Sequence, residues 1–230
     1  MSKVRLYLVR HGKTMFNTIG RAQGWSDTPL TAEGELGIHE LGIGLRESGL
    51  QFDRAYSSDS GRTIQTMGII LEELGLQGKI PYRTDKRIRE WCFGSFDGAY
   101  DGDLFMGLIP RIFNVDHVHQ LSYAELAEGL VEVDTAGWAE GWEKLSGRIK
   151  EGFEAIAKEM EEQGGGNALV VSHGMTIGTI VYLINSMHPH GLDNGSVTIL
   201  EYENGQFSVE VVGDRSYREL GREKMAEIKN

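Results

Sequence analysis

Apolar residues dominate from Val4 to Val9, interrupted only by Arg5, over the length of a strand buried on both faces. A polar, glycine-containing stretch follows through Pro29, after which Thr31 is placed to cap a helix reaching about Glu47, with Leu41 and Leu45 on one face. A second strand is predicted at Phe52 to Ser57. Asp59 or Ser60 then starts a helix to about Leu74, with Ile64, Met67, Leu71 and Leu74 at helical spacing. Ile80 to Arg83 reads as a third strand. From Phe96 to Trp142 the regularity fails: aromatics, acids and glycines mix, with weak helical signals and Pro110, and the segment reads as an excursion from the sheet, a lid. Regular spacing returns between Glu143 and Gln163, where Leu145, Ile149, Phe153, Ile156 and Met160 make a stripe that Gly164-Gly165-Gly166 stops. Ala168 to Ser172 predicts another strand and Met175 to Asn185 another helix. Val197 to Tyr202 and Phe207 to Val212 alternate and meet at Asn204-Gly205, a hairpin signature. The charged tail from Asp214 predicts a loose terminal helix.

Strands alternating with helices predict an α/β fold: three layers, helix/sheet/helix, with a mostly parallel sheet, an antiparallel edge strand and a lid-like excursion at 96–142. No internal repeat or linker divides the chain, so residues 1–230 read as one domain.

Composition narrows the function classes. Of 230 residues 40% are hydrophobic and 25% charged, and no apolar run approaches the length of a membrane span. The formal charge of -11 argues against nucleic-acid and anionic-membrane partners, which need a basic footprint. It does not exclude a small anionic substrate, because a pocket can be locally positive. The single Cys92 forms no internal disulfide and suits a reducing compartment. Behind Met1-Ser2-Lys3 the apolar run is short and contains Arg5, unlike a secretory signal, so a cytoplasmic location is expected. A homodimer is left open.

Two short apolar runs end alike, in Arg10-His11-Gly12 and Ser172-His173-Gly174. If both are parallel strands, their carboxyl ends share the crevice where α/β sheets bind ligands. Two imidazoles and an arginine then meet in one pocket, a phosphate site suited to nucleophilic chemistry. Phosphoryl transfer needs an in-line nucleophile, cations around the equatorial oxygens and a proton donor for the leaving oxygen. His11 can supply the nucleophile if a backbone carbonyl holds its other nitrogen as N–H. Arg10 and Arg62 can grip two oxygens each, Arg62 from the first turn of a helix. His173 is expected as an imidazolium, a third cation. Glu90 is the candidate acid and base, with Asp85 and Asp97 as rivals. Asn17, Gln23, Gly24 and the Gly174 amide are candidate phosphate contacts, although Asn17 and Gln23 equally suit turn caps.

The order of these motifs resembles the histidine phosphatase superfamily, in its phosphoglycerate mutase-like branch. Arg10-His11-Gly12-Lys13-Thr14 with Asn17 is similar to its hallmark after the first strand. Gln23-Gly24-Trp25 with Asp27, Pro29-Leu30-Thr31 and Gly34 resembles its loop and first helix. Ser57-Ser58 with Arg62 and Gln65-Thr66 resembles its second-arginine motif, Arg89-Glu90 with Phe93-Gly94 and Gly98 its acid motif, and Ser172-His173-Gly174 its second histidine. The resemblance spans roughly residues 4 to 200. It implies a metal-independent enzyme without cofactor, acting on a small phosphorylated substrate through a phosphohistidine on His11, with Arg10, Arg62, Glu90 and His173 around it.

Two outcomes fit such a site, phosphomonoester hydrolysis and phosphoglycerate mutase chemistry; a non-catalytic phospho-ligand sensor is a third. The mutases grip a second anionic end with basic residues after the acid motif. Here residues 97–142 hold nine acids against one base, Arg111, a net of -8, and Trp91 follows Glu90. That favours a phosphatase for esters with a neutral, partly apolar or cationic leaving group. Tyr100, Phe105, Phe113, Tyr123, Trp138 and Trp142 either line its pocket or pack the lid. His117 and His119 beside Asp116, and His188 with His190, lack a recognised metal spacing and read as solvated loop histidines. Cys92 reads as packed.

Overall fold

In the computed structural model, which describes residues 3–189 and 191–228, six strands form one sheet in the order β3-β2-β4-β1-β5-β6. The elements that matter here, in chain order, are β1 (Val4–Arg10), α1 (Met15–Thr18), α2 (Ala32–Glu47), β2 (Arg54–Ser57), α3 (Gly61–Glu73), β3 (Tyr82–Thr84), α4 (Ile109–Phe113), α5 (Tyr123–Val133), α6 (Trp142–Glu162), β4 (Gly166–Ser172), α7 (Gly174–Asn185), β5 (Val197–Glu203), β6 (Gln206–Asp214) and α8 (Ser216–Ile228). Strands β3, β2, β4 and β1 run parallel, whereas β5 and β6 are antiparallel. The Asn204-Gly205 hairpin supplies the expected antiparallel edge: β5 runs antiparallel to β1, and β6 antiparallel to β5.

The period-2 pattern of the strands separates two cores. Leu6 and Leu8 of β1 and Ala168 and Val170 of β4 pack with the α6 stripe and with Ile177, Ile180 and Val181 of α7. Tyr7, Val9, Leu169 and Val171 face Ile38, Leu41 and Leu45 of α2 and Met67, Ile70 and Leu71 of α3. Among the described residues no helix is long and apolar enough to cross a membrane.

Two expectations are corrected. The 96–142 excursion is not irregular: it holds a π-helix over Gly102–Leu108, α4, a 3₁₀ turn and α5, which a Ser122–Glu125 capping box starts. The terminal helix is not loose. It lies backbone to backbone on α2, so close that a Cβ on Gly44 would overlap the Tyr217 carbonyl and one on Gly221 the Glu40 carbonyl. Arg218 also pairs with the buried Glu40 at 2.8 Å.

Candidate active site

Adjacent parallel strands β1 and β4 pair in register up to Arg10 and Ser172, so the residues that follow, His11 and His173, emerge side by side. Their rings lie 5.4 Å apart between centroids, at 64°. The His11 backbone is fixed on three sides. Its N–H donates to the Ser172 carbonyl at 3.0 Å, its carbonyl accepts from Asn194 at 2.9 Å, and the Gly12 N–H donates to Thr66 of α3 at 3.0 Å.

The nucleophile is prepared by that turn. His11 Nδ1 lies 2.8 Å from the Gly12 carbonyl, which can only accept, so Nδ1 carries the proton and Nε2 keeps its lone pair. Burial holds the ring well below the ordinary histidine range, and the Arg62 and Arg10 guanidiniums push it further. The imidazole is therefore neutral at pH 7.

His173 differs from its expected role. Arg62 Nη2 donates to its Nδ1 at 2.9 Å, and a guanidinium cannot accept. The ring is thus the Nε2–H tautomer, with Ser58 Oγ as partner at 2.8 Å. Burial, then Arg62, His11 and Arg10, hold it well below the usual range, so it is neutral and not an imidazolium.

Arg62 is fully buried. Its Nη1 donates to the Ser26 carbonyl and to Asp27, each at 2.9 Å, and its Nη2 to the Gly24 carbonyl at 2.8 Å. Arg10 Nη1 donates to the Leu192 carbonyl. Yet the Nε of each guanidinium is buried with no acceptor among the described residues. Two orphaned cationic donors beside a neutral imidazole nitrogen are the donor set an anion would satisfy.

Glu90 stands at the start of α7, where the helix offers unpaired N–H groups. Its Oε1 accepts from the Thr176 N–H at 2.9 Å, the Thr176 hydroxyl at 3.0 Å and the Trp91 N–H at 3.1 Å; Oε2 accepts from the Met175 N–H at 3.1 Å. Its rivals are committed elsewhere. Asp85 chelates Arg87, and Asp97 accepts from the backbone N–H groups of Gly24, Trp25, Ser26 and Phe93.

Arg10, His11, Asn17, Gln23, Glu90 and Gly174 line one cavity of about 530 Å³. Asn17 is also a cap: its Oδ1 accepts from the Thr14 N–H, which leaves its amide hydrogens for the cavity. Gln23 is fixed by Thr14 and Thr28. Gly24 is corrected. Its N–H donates to Asp97 at 2.8 Å and its carbonyl takes Arg62, so it positions the arginine and offers no donor of its own.

The excursion closes the cavity with Phe105, Met106, Val118, Leu121, Tyr123 and Leu126. Of the six aromatics considered, Phe105 and Tyr123 line it. Trp142 meets Tyr182 edge to face at 6.0 Å between centroids, and Trp138 is exposed. Charge counting misled on the acids. Asp97, Glu125, Glu128 and Asp134 cap backbone N–H groups, Glu140 pairs with Arg148, and of the nine only Asp101 lines the cavity. Burial raises the Asp101 carboxyl, with Arg10 pulling the other way.

Sequence reasoning missed Arg148, which donates to the carbonyls of Arg87, Arg89 and Glu90 at 2.8, 3.0 and 3.3 Å while paired to the buried Glu140. Nothing in its helical surroundings marks it. Asn194 and Arg21 were missed as well; Arg21 lines the cavity, with its guanidinium 4.3 Å from the Tyr100 ring centroid. Among the described residues no three His, Cys, Asp or Glu side chains gather as a metal site. His119 reaches the cavity wall, His188 packs on the Tyr182 ring at 4.4 Å, and His190 lies outside the described residues.

Known proteins resemble this chain in sequence and fold. The family model of the histidine phosphatase superfamily (branch 1) matches residues 6–215. A relative named "Probable phosphoglycerate mutase GpmB" from Salmonella choleraesuis (strain SC-B67) is 30% identical, over 93% of this chain and 94% of its own. The crystal structure of a phosphoglycerate mutase from Bacillus anthracis is 38% identical with a TM-score of 0.90, over 96% of this chain and 97% of that one. The alpha-ribazole phosphatase from Shigella flexneri shares the fold at 24% identity and a TM-score of 0.68, over 92% and 97%.

Proposed function

We propose, from the premise that this chain belongs to the histidine phosphatase superfamily, that it hydrolyses small phosphomonoesters through a phosphohistidine on His11. The observation that carries the reading is the neutral, Nδ1-protonated His11 ring beside the two buried Nε donors of Arg10 and Arg62. His11 Nε2 attacks phosphorus as the ester P–O bond breaks, and the guanidiniums take up charge on the equatorial oxygens. Glu90 supplies the proton to the departing oxygen. Its Oε2, with a single donor against three on Oε1, has room to carry it. Glu90 then takes a proton from water as the water oxygen attacks the phosphohistidine, which releases phosphate and restores His11. No step calls for a metal. His173, neutral and bonded to Arg62, positions that guanidinium and contributes no charge of its own.

The apolar excursion wall supports hydrolysis of esters with a partly apolar alcohol. Phosphoglycerate mutase activity is the second reading. The relatives' names favour it, and Arg21 gives the cavity a cation outside the phosphate end. Incubation with 3-phosphoglycerate, with and without 2,3-bisphosphoglycerate, and with p-nitrophenyl phosphate separates the two. Phosphate release faster than isomerisation is expected, and isomerisation alone would overturn hydrolysis. Binding of either ester without turnover would instead mark a sensor.

A further inference from the structure

Two acids line the cavity, and they differ in one respect. Glu90 receives four hydrogen bonds, whereas the Asp101 side chain has no hydrogen bond and no ion pair among the described residues. It reaches the cavity from the exposed start of the π-helix, within the field of Arg10. An unpaired carboxylate facing a phosphate site repels a dianion, so its presence weakens substrate binding unless the substrate carries a compensating positive charge.

The wall beside it suits such a charge. Phe93 and Phe105 meet edge to face at 5.5 Å between centroids, and both, with Tyr123, line the same cavity. Aromatic faces attract cations, and rings combined with a carboxylate make an ammonium site. Arg21 does not fill that role. Its Nη1 donates to the Gly98 carbonyl at 2.5 Å and its guanidinium lies over Tyr100.

We infer that the preferred substrates are phosphate monoesters of amino alcohols, with the cationic nitrogen held between Asp101 and the rings of Phe93, Phe105 and Tyr123. The inference rests on the hydrolytic reading above and leaves its chemistry unchanged. The bond broken is still P–O, and the ammonium group binds without reacting.

The test compares phosphocholine with 3,3-dimethylbutyl phosphate, its neutral carbon isostere. Wild type is expected to favour phosphocholine about tenfold or more in kcat/KM, and Asp101→Asn to bring the two within about twofold. The same preference, read calorimetrically as binding to the His11→Ala protein, does not depend on turnover. Equal kcat/KM and equal binding of the two esters by wild type, or a preference that survives Asp101→Asn, would overturn the inference and leave hydrolysis standing. Failure to release phosphate from either ester and from p-nitrophenyl phosphate would overturn the hydrolytic reading, and the binding preference would still decide the inference.

Discussion

Replacing Arg148 by methionine tests how the proposed acid is held. In wild type its Nε lies 3.1 Å from both Glu140 oxygens and its Nη2 2.6 Å from Oε2, while three backbone carbonyls on either side of the Glu90 turn accept from it. The Glu140 side chain is 2% exposed and that of Arg148 14%, so the pair is desolvated. Arg148→Met would leave Glu140 a buried charge whose remaining cation, Lys144, stands 3.9 Å away. Losing one partner of a buried pair costs about 3–5 kcal/mol, and a hydrogen bond from a charged donor to a carbonyl contributes about 1.5–3 kcal/mol net. Because Lys144 stays and water can reach some of the freed carbonyls, a loss of about 4 kcal/mol is expected. Glu140→Leu/Arg148→Met removes the stranded charge and should recover about 2 kcal/mol of it. Both variants should lose at least about tenfold in kcat, since both free the Glu90 backbone. Urea titration followed by circular dichroism, with steady-state phosphate release, measures both quantities. A single variant within about 1 kcal/mol of wild type, or a double variant less stable than the single, would refute the reasoning.

Two further predictions follow. His11 and His173 are both held below their ordinary pKa of 6.5, so the unfolded chain binds protons that the folded one refuses. Their contribution to stability is complete above pH 6.5 and falls below it, by up to about 1.4 kcal/mol per pH unit for each ring. Urea midpoints between pH 7.5 and 5.5 should drop more steeply for wild type than for His11→Gln/His173→Gln, and parallel slopes would contradict the assignment. A Cβ on Gly34 would overlap the Lys13 carbonyl, which accepts from the Thr31 N–H at 2.9 Å. Gly34→Ala should therefore cost about 2–3 kcal/mol and lower phosphate release by displacing the loop behind His11, and a neutral result would show that the loop yields freely.

Much of the site was legible because its groups follow strand ends. Arg10-His11-Gly12 and Ser172-His173-Gly174 come together once Val4 to Val9 and Ala168 to Ser172 are read as parallel neighbours, and Arg62 needs only the helix that starts beside Ser60. Side-chain direction was not legible. The nine acids of 97–142 counted as a field over the substrate, but four cap backbone N–H groups, Glu140 pairs with Arg148 and only Asp101 lines the cavity, none of which a composition window can show. The charge state of His173 was misread for a related reason, since it depends on which atom of Arg62 meets which ring nitrogen. The glycines of α2 and α8 lower helix propensity in the sequence; in the fold they permit backbone contact, so the tail read as loose is tightly packed. Asn194, 183 residues from His11, carries no local signal at all.

The central claim is the covalent step on His11, and phosphopeptide mapping of enzyme quenched in alkali during turnover, read together with its 31P spectrum, tests it most directly. A phosphoryl group on Nε2 of His11, absent from His11→Ala, is the predicted result. Steady turnover with no phosphoryl group on His11, or with one on a different residue, would contradict it.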